Sequence, residues 1–152
     1  MTSESISLAD ASGSPIFLMS KRRSGRELAF RLLFQADVGG VPLDEVLRVA
    51  RDFSDATEDV WAFAEELGRG AWDAKSELDA IIVRLAAGWT LERMANADRN
   101  ILRVALYEII HREDTPQSVA INEAVELAKR YGTADSASFI NGILGTFARE
   151  KQ

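Results

Sequence analysis

The chain has 152 residues, a mass of 16.7 kDa and 47% hydrophobic residues, enough for one domain whose core buries about 68–70% of the surface exposed by the unfolded chain. It has no cysteine and a single histidine, His111, which excludes disulfides, thiolate metal sites and cysteine nucleophiles and leaves no ligand set for zinc; no cofactor is implied. The net charge of −6 and the pI near 4.9 speak, as totals, against a nucleic-acid partner.

Residues 1–20 carry only Glu4 and Asp10 as charges and are rich in serine, with Gly13 and Pro15. Such a composition cannot repay the entropy of ordering and reads as a disordered N-terminal tail. Its apolar run Ile16-Phe17-Leu18-Met19 is too short for a signal peptide and has no positive charge before it. Met19 is a candidate alternative translation start, which a peptide from residues 2–18 of the native protein would exclude. No stretch approaches 18 continuous apolar residues, so no membrane span is expected and the reading is cytoplasmic.

The next segment reverses the sign of the charge. Lys21, Arg22, Arg23, Arg26 and Arg31 stand against Glu27, a local excess of +4; residues 1–20 carry −2, so the rest of the chain carries −8. Arginine forks match phosphate oxygens, and an exposed basic arm could wrap a single strand; the plainer reading is a solvated N-terminus.

From Arg22 onward the periodicity is helical. Leu28, Ala29, Leu32, Leu33 and Ala36 form a first apolar face that ends near Gly39-Gly40. Pro42 opens a second helix with Leu43, Val46, Leu47, Ala50 and Phe53 inward. A third runs from about Glu58, with Val60, Trp61, Ala64, Leu67 and Ala71 on one side, and Leu78, Ile81, Ile82 and Leu85 continue it or form a fourth before Gly88. Asp98 to Arg112 leaves only a narrow polar strip and is predicted to be central. Thr115-Pro116 caps a helix bearing Val119, Ile121, Ala124, Val125 and Ala128, and Gly132 is placed to take a left-handed conformation after it. Asp135 is a candidate N-cap for the last helix, whose face is Phe139, Ile140, Ile143, Leu144 and Phe147. The fold class is therefore all-α, a compact bundle of about seven helices.

Other polar and aromatic residues carry weaker signals. Asn122, Glu123 and Asn141 sit within apolar helices and read as structural polar groups, the two asparagines bonding at a helix–helix contact. Gly142 and Gly145 suggest a close approach of another backbone. His111 reads as a surface or capping residue, and Trp61, Trp72 and Trp89 as core. Phe139, in the first turn after an acidic cap, could be exposed enough to stack a base. No catalytic constellation and no phosphate-binding glycine loop is present.

Several blocks, in order, resemble one family. These are Arg22 to Ala29, Asp98-Arg99-Asn100-Ile101-Leu102-Arg103-Val104-Ala105-Leu106-Tyr107-Glu108, Thr115-Pro116, Val119-Ala120-Ile121-Asn122-Glu123-Ala124-Val125-Glu126-Leu127-Ala128-Lys129, and Ser138 to Leu144. They are similar to the bacterial NusB family of transcription antitermination factors. The resemblance implies two small helical subdomains within one RNA-binding domain over 21–150, and a role without catalysis. It implies binding of single-stranded boxA-type leader RNA of ribosomal RNA operons together with a small-subunit ribosomal protein acting as NusE, in the RNA polymerase antitermination complex. Lys21, Arg22, Arg23 and Arg26 would then meet phosphates, with Asp135 and Phe139 near the same surface; monomers and homodimers both fit. Ser24, Gly25 and Phe34 depart from the family's common arginine, alanine and tyrosine, which is expected to weaken phosphate contact, loosen the arm and remove a hydroxyl. Two rivals are a methyltransferase's accessory domain, for which these residues hold no strand–glycine-loop–helix, and a helical protein-binding adaptor without direct RNA contact.

Overall fold

The computed structural model describes residues 15–151, and among these there are seven α-helices and one 3-10 turn. The helices are α1 (Pro15–Gly39), α2 (Leu43–Phe53), α3 (Glu58–Asp73), α4 (Lys75–Leu85), α5 (Asn96–His111), α6 (Gln117–Tyr131) and α7 (Ser136–Glu150), with the 3-10 turn at Leu91–Arg93 between α4 and α5.

The expected tail boundary is corrected. Helix α1 starts at Pro15 rather than near Arg22, because proline's fixed φ suits a first helical turn and Ile16 to Met19 are competent helix formers. Tail residues 1–14 lie outside the described residues. At its other end α1 stops where Gly40 adopts φ +66°, with the Val41 N–H donating back to the Ala36 carbonyl at 3.1 Å. Pro42 then starts α2, and the Thr57 hydroxyl accepts from the Val60 N–H to start α3. The third and fourth helical segments are separate, breaking at Ala74.

Helices α1–α3 pack together, as do α4–α7, with α1 mainly on α3 and α6 mainly on α7; α5 touches members of both groups. The buried apolar side chains nevertheless form one contiguous cluster. Eleven of the sixteen residues of α5 are buried, as its narrow polar strip predicts. Gly70 lets α3 approach it closely, since a Cβ there would run into the Tyr107 ring.

The polar positions of α5 hold the groups together. Asp37, near the end of α1, accepts from Arg99 Nε and Asn100 Nδ2 at 2.8 Å each and from Arg103 at 3.2 Å. Arg103 also donates twice to Asp79 of α4, at 2.7 and 2.9 Å. At the opposite end of α5, Glu108 is buried against Arg26 of α1.

Several predicted details differ. Phe53, the last residue of α2, is 85% exposed, while Leu43 and Leu47 are the buried residues of that helix. Asn122 and Asn141 are both exposed, so neither bonds at a buried helix contact; the buried amide is Asn100. Gly142 is exposed with open space above it. Gly132 has φ −97°, not a left-handed value, and it is small because Ser136 closes over it.

Candidate nucleic-acid interface

The basic segment is not a loose arm. Residues 21–31 are helical throughout, and successive side chains on a helix point about 100° apart, so the four leading cations fan out over different neighbours. Lys21 reaches Asp59 of α3 at 2.6 Å, and Arg22 reaches Asp114 in the α5–α6 connection at 2.8 Å. Arg23 makes a bidentate pair with Glu123 of α6 at 3.0 and 2.9 Å, with its own side chain 65% exposed. Glu123, with its side chain 12% exposed, is thus the inner partner of a surface arginine.

Arg26 departs from its expected role. Its side chain is 6% exposed and Glu108 is 1% exposed; their bidentate pair spans 2.8 and 2.6 Å, and the Thr115 hydroxyl donates to the same carboxylate at 2.9 Å. A guanidinium enclosed in this way does not meet a phosphate. Gly25 is corrected too. It is buried, and a Cβ there would press on Phe63, so the glycine tightens the α1–α3 contact instead of loosening an arm. The guanidinium carbons of Arg22, Arg26 and Arg112 lie 5.5, 5.6 and 5.2 Å from the Phe63 ring centroid.

Lys21, Arg22 and Arg23 therefore form a surface of oriented but already paired cations. Hydrogen bonds from Arg112 and Arg22 hold the Asp114 carboxyl below the usual carboxylate range, and the Glu123 hydrogen bond raises the Arg23 pKa. Exposed pairs of this kind contribute only about 0–1 kcal/mol. A phosphate can replace or join the carboxylate at small cost, since each guanidinium has five donors. Arg31, exposed further along α1, makes no ion pair among the described residues.

Asp135 and Phe139 occupy a second patch. From Glu123 to the end of α6 is about 12 Å of helix, and a short turn follows. Asp135 precedes α7 but its side chain does not cap it. The local bonding comes from Ser136, whose hydroxyl accepts from the Thr133 N–H at 2.9 Å, and Asp135 itself is exposed. Phe139 is half-buried and meets the Trp89 ring edge-to-face at 6.3 Å. Trp89 is half exposed rather than core. His111 is exposed and stacks on Tyr107 at 4.6 Å.

Beneath this patch lies a buried carboxylate. Asp98 of α5 lies near Ser136, and its Oδ1 is buried without a hydrogen-bond partner among the described residues. Burial pushes the Asp98 carboxyl up, against the opposing effect of Ser136. With a folded pKa above the unfolded value of about 3.9, the group weakens the fold progressively as pH rises through that window, and the penalty is complete above it. Asp98→Asn is expected to raise Tm at pH 7, with the variant and parent converging as pH falls toward about 4. A variant that melts below the parent at pH 7 would contradict this.

Comparison with known proteins gives a consistent pattern. The sequence pattern of the NusB family matches residues 23–149. The chain is 50% identical over 138 residues to the transcription antitermination protein NusB of Symbiobacterium thermophilum, covering 84% of this chain and 89% of that one. It is 48% identical over 133 residues to the protein of the same name in Desulforudis audaxviator, covering 87% and 96%. Among solved structures it is similar to T. maritima NusB, with a TM-score of 0.77, 36% identity and coverage of 85% and 91%. It is also similar to a chain in a crystal structure of antitermination factors NusB and NusE in complex with dsRNA, with a TM-score of 0.78, 25% identity and coverage of 87% and 98%.

Proposed function

The chain belongs to the NusB family, and from that premise we propose that it is a cytoplasmic, non-catalytic transcription antitermination factor. In this reading it binds single-stranded boxA-type leader RNA together with a small-subunit ribosomal protein acting as NusE, and supports processive elongation by RNA polymerase. A solved NusB–NusE complex with RNA supports the choice of partners.

The observation that carries the RNA contact is the presentation of Lys21, Arg22 and Arg23 on one helical turn, each aimed by a carboxylate at the surface. Phosphates meet these three groups. Downstream, a base stacks on Phe139 and the Asp135 carboxylate accepts from a base amino group. Arg26 contributes by holding α1 against α5 and so fixing the direction in which its neighbours point. The RNA-binding domain extends over 21–150, with the α1 segment before it as an extension, and a homodimer is compatible with this arrangement.

Neutralised cations and a charge of −10 outside the basic segment give the chain alone little electrostatic attraction for RNA. Fluorescence anisotropy with labelled boxA-like RNA is expected to show weak binding that tightens markedly when the small ribosomal protein is added. Equal affinity for boxA-like and scrambled RNA, with and without that protein, would favour the adaptor that contacts only protein.

A further inference from the structure

We propose, resting on the RNA-binding reading above, that Trp89 is a second base-stacking surface, which extends the Phe139 platform along a single strand with Arg93 beside it on the phosphates. Trp89 is 50% exposed, whereas Trp61 is 4% exposed in the core. A large aromatic left half in water calls for a reason, because burial is its ordinary fate.

The backbone holds it there. Ala87 has φ +46° and Gly88 φ +93°, two successive left-handed residues, and the Trp89 N–H closes the turn on the Ala86 carbonyl at 3.2 Å. Alanine tolerates such a φ poorly, and strain of this sort persists where the surrounding structure over-determines a residue used for binding. The ring is fixed edge-to-face against Phe139 at 6.3 Å, an arrangement that cannot cover both faces of both rings.

The surroundings favour a nucleobase over a protein side chain. The exposed chain neighbours of Trp89 are Ala87, Gly88, Thr90, Glu92 and Arg93, none of them a large apolar residue. The Arg93 guanidinium carbon lies 6.0 Å from the Trp89 centroid, and among the described residues Arg93 makes no ion pair. By contrast, Lys21, Arg22 and Arg23 are each matched to a carboxylate. An exposed ring next to an unmatched guanidinium is the combination that binds single strands, the ring taking any base face and the cation its phosphate.

The test titrates full-length protein, with the small ribosomal protein present, with boxA-like RNA. It follows intrinsic tryptophan fluorescence and, separately, the anisotropy of labelled RNA. We expect quenching of the red-shifted emission of an exposed indole, at least about fivefold weaker RNA binding in Trp89→Ala, and recovery to within about twofold in Trp89→Phe. Trp89→Phe also removes the quenching and keeps the ring in place, so it decides the matter if Trp89→Ala does not fold. RNA binding by the parent without quenching, or with Trp89→Ala unaffected, overturns this inference and leaves the RNA-binding reading intact. Quenching by the ribosomal protein alone, with no further change on adding RNA, assigns Trp89 to a protein contact and overturns it too. Absence of RNA binding by the parent overturns the underlying reading itself.

Discussion

Replacing Glu108 with alanine is expected to destabilise the fold by about 3–5 kcal/mol, a large share of the stability of a domain this size. Glu108 takes two short bonds from Arg26 and one from the Thr115 hydroxyl, with almost no solvent contact. Its loss strands a guanidinium charge in a dry site. The cost thus measures an uncompensated charge more than the worth of the pair, and replacing both partners with apolar residues of similar volume should be far milder. Denaturant unfolding should show a greatly reduced midpoint for Glu108→Ala, and recovery of most of it in the combined Arg26→Met and Glu108→Leu variant. A Glu108→Ala midpoint within error of the parent would contradict the account.

Removing the Asp37 carboxylate is expected to cost about 3 kcal/mol, at the low end for buried ion pairs because the group is partly wet. Asp37 answers Arg99 and Arg103, and Arg103 is 5% exposed with Asp79 as its only other carboxylate partner among the described residues. Asp37→Ala therefore loosens the junction of α1, α4 and α5 together. Burial pushes the Asp37 carboxyl up, but hydrogen bonds from Arg99 and Asn100 and the charge of Arg103 outweigh it, so its pKa lies below the ordinary value. The stabilisation is then present above the unfolded pKa of about 3.9 and is lost as pH falls through the folded one. Asp37→Asn should be less stable than the parent at pH 7, and the difference should shrink below about pH 4. Asp98 acts in the opposite direction, its penalty relieved on acidification, so Asp98→Asn and Asp37→Asn should bend the pH–stability curve in opposite senses.

Most of the helical layout was legible in the sequence, because runs such as Ile101, Leu102, Ala105 and Ile109 repeat at helical spacing and glycine or proline marks the ends. What failed was the assignment of faces to polar residues. Arg26 looked like part of a basic arm, yet it lies three, four and seven residues ahead of Ala29, Phe30 and Leu33, all buried, so its place on the inner face was present in the spacing. Asn122 was read as buried, but the inner face of α6 is Ala120, Ala124 and Ala128, and a residue two positions from this row points away. The partners of these groups were beyond reach: no local rule joins Arg26 to Glu108 or Asp37 to Arg103, since those contacts exist only once α1 lies on α5. Trp89 was missed for a related reason. An aromatic residue in an otherwise helical chain reads as core, and only the two left-handed residues before it reveal that it faces outward.

The proposed division of labour along α1, with Lys21, Arg22 and Arg23 for RNA and Arg26 for the fold, is tested most directly by the salt dependence of RNA affinity, measured with the ribosomal protein present. The three phosphate contacts of α1 are predicted to contribute about −2 to the slope of log affinity against log salt. The Arg22→Ala and Arg23→Ala double variant should reduce its magnitude by about 1.4, while the combined Arg26→Met and Glu108→Leu variant should leave it unchanged. If the Arg26 variant flattens the slope as much as the double variant does, or if the parent's affinity does not respond to salt, the account is contradicted.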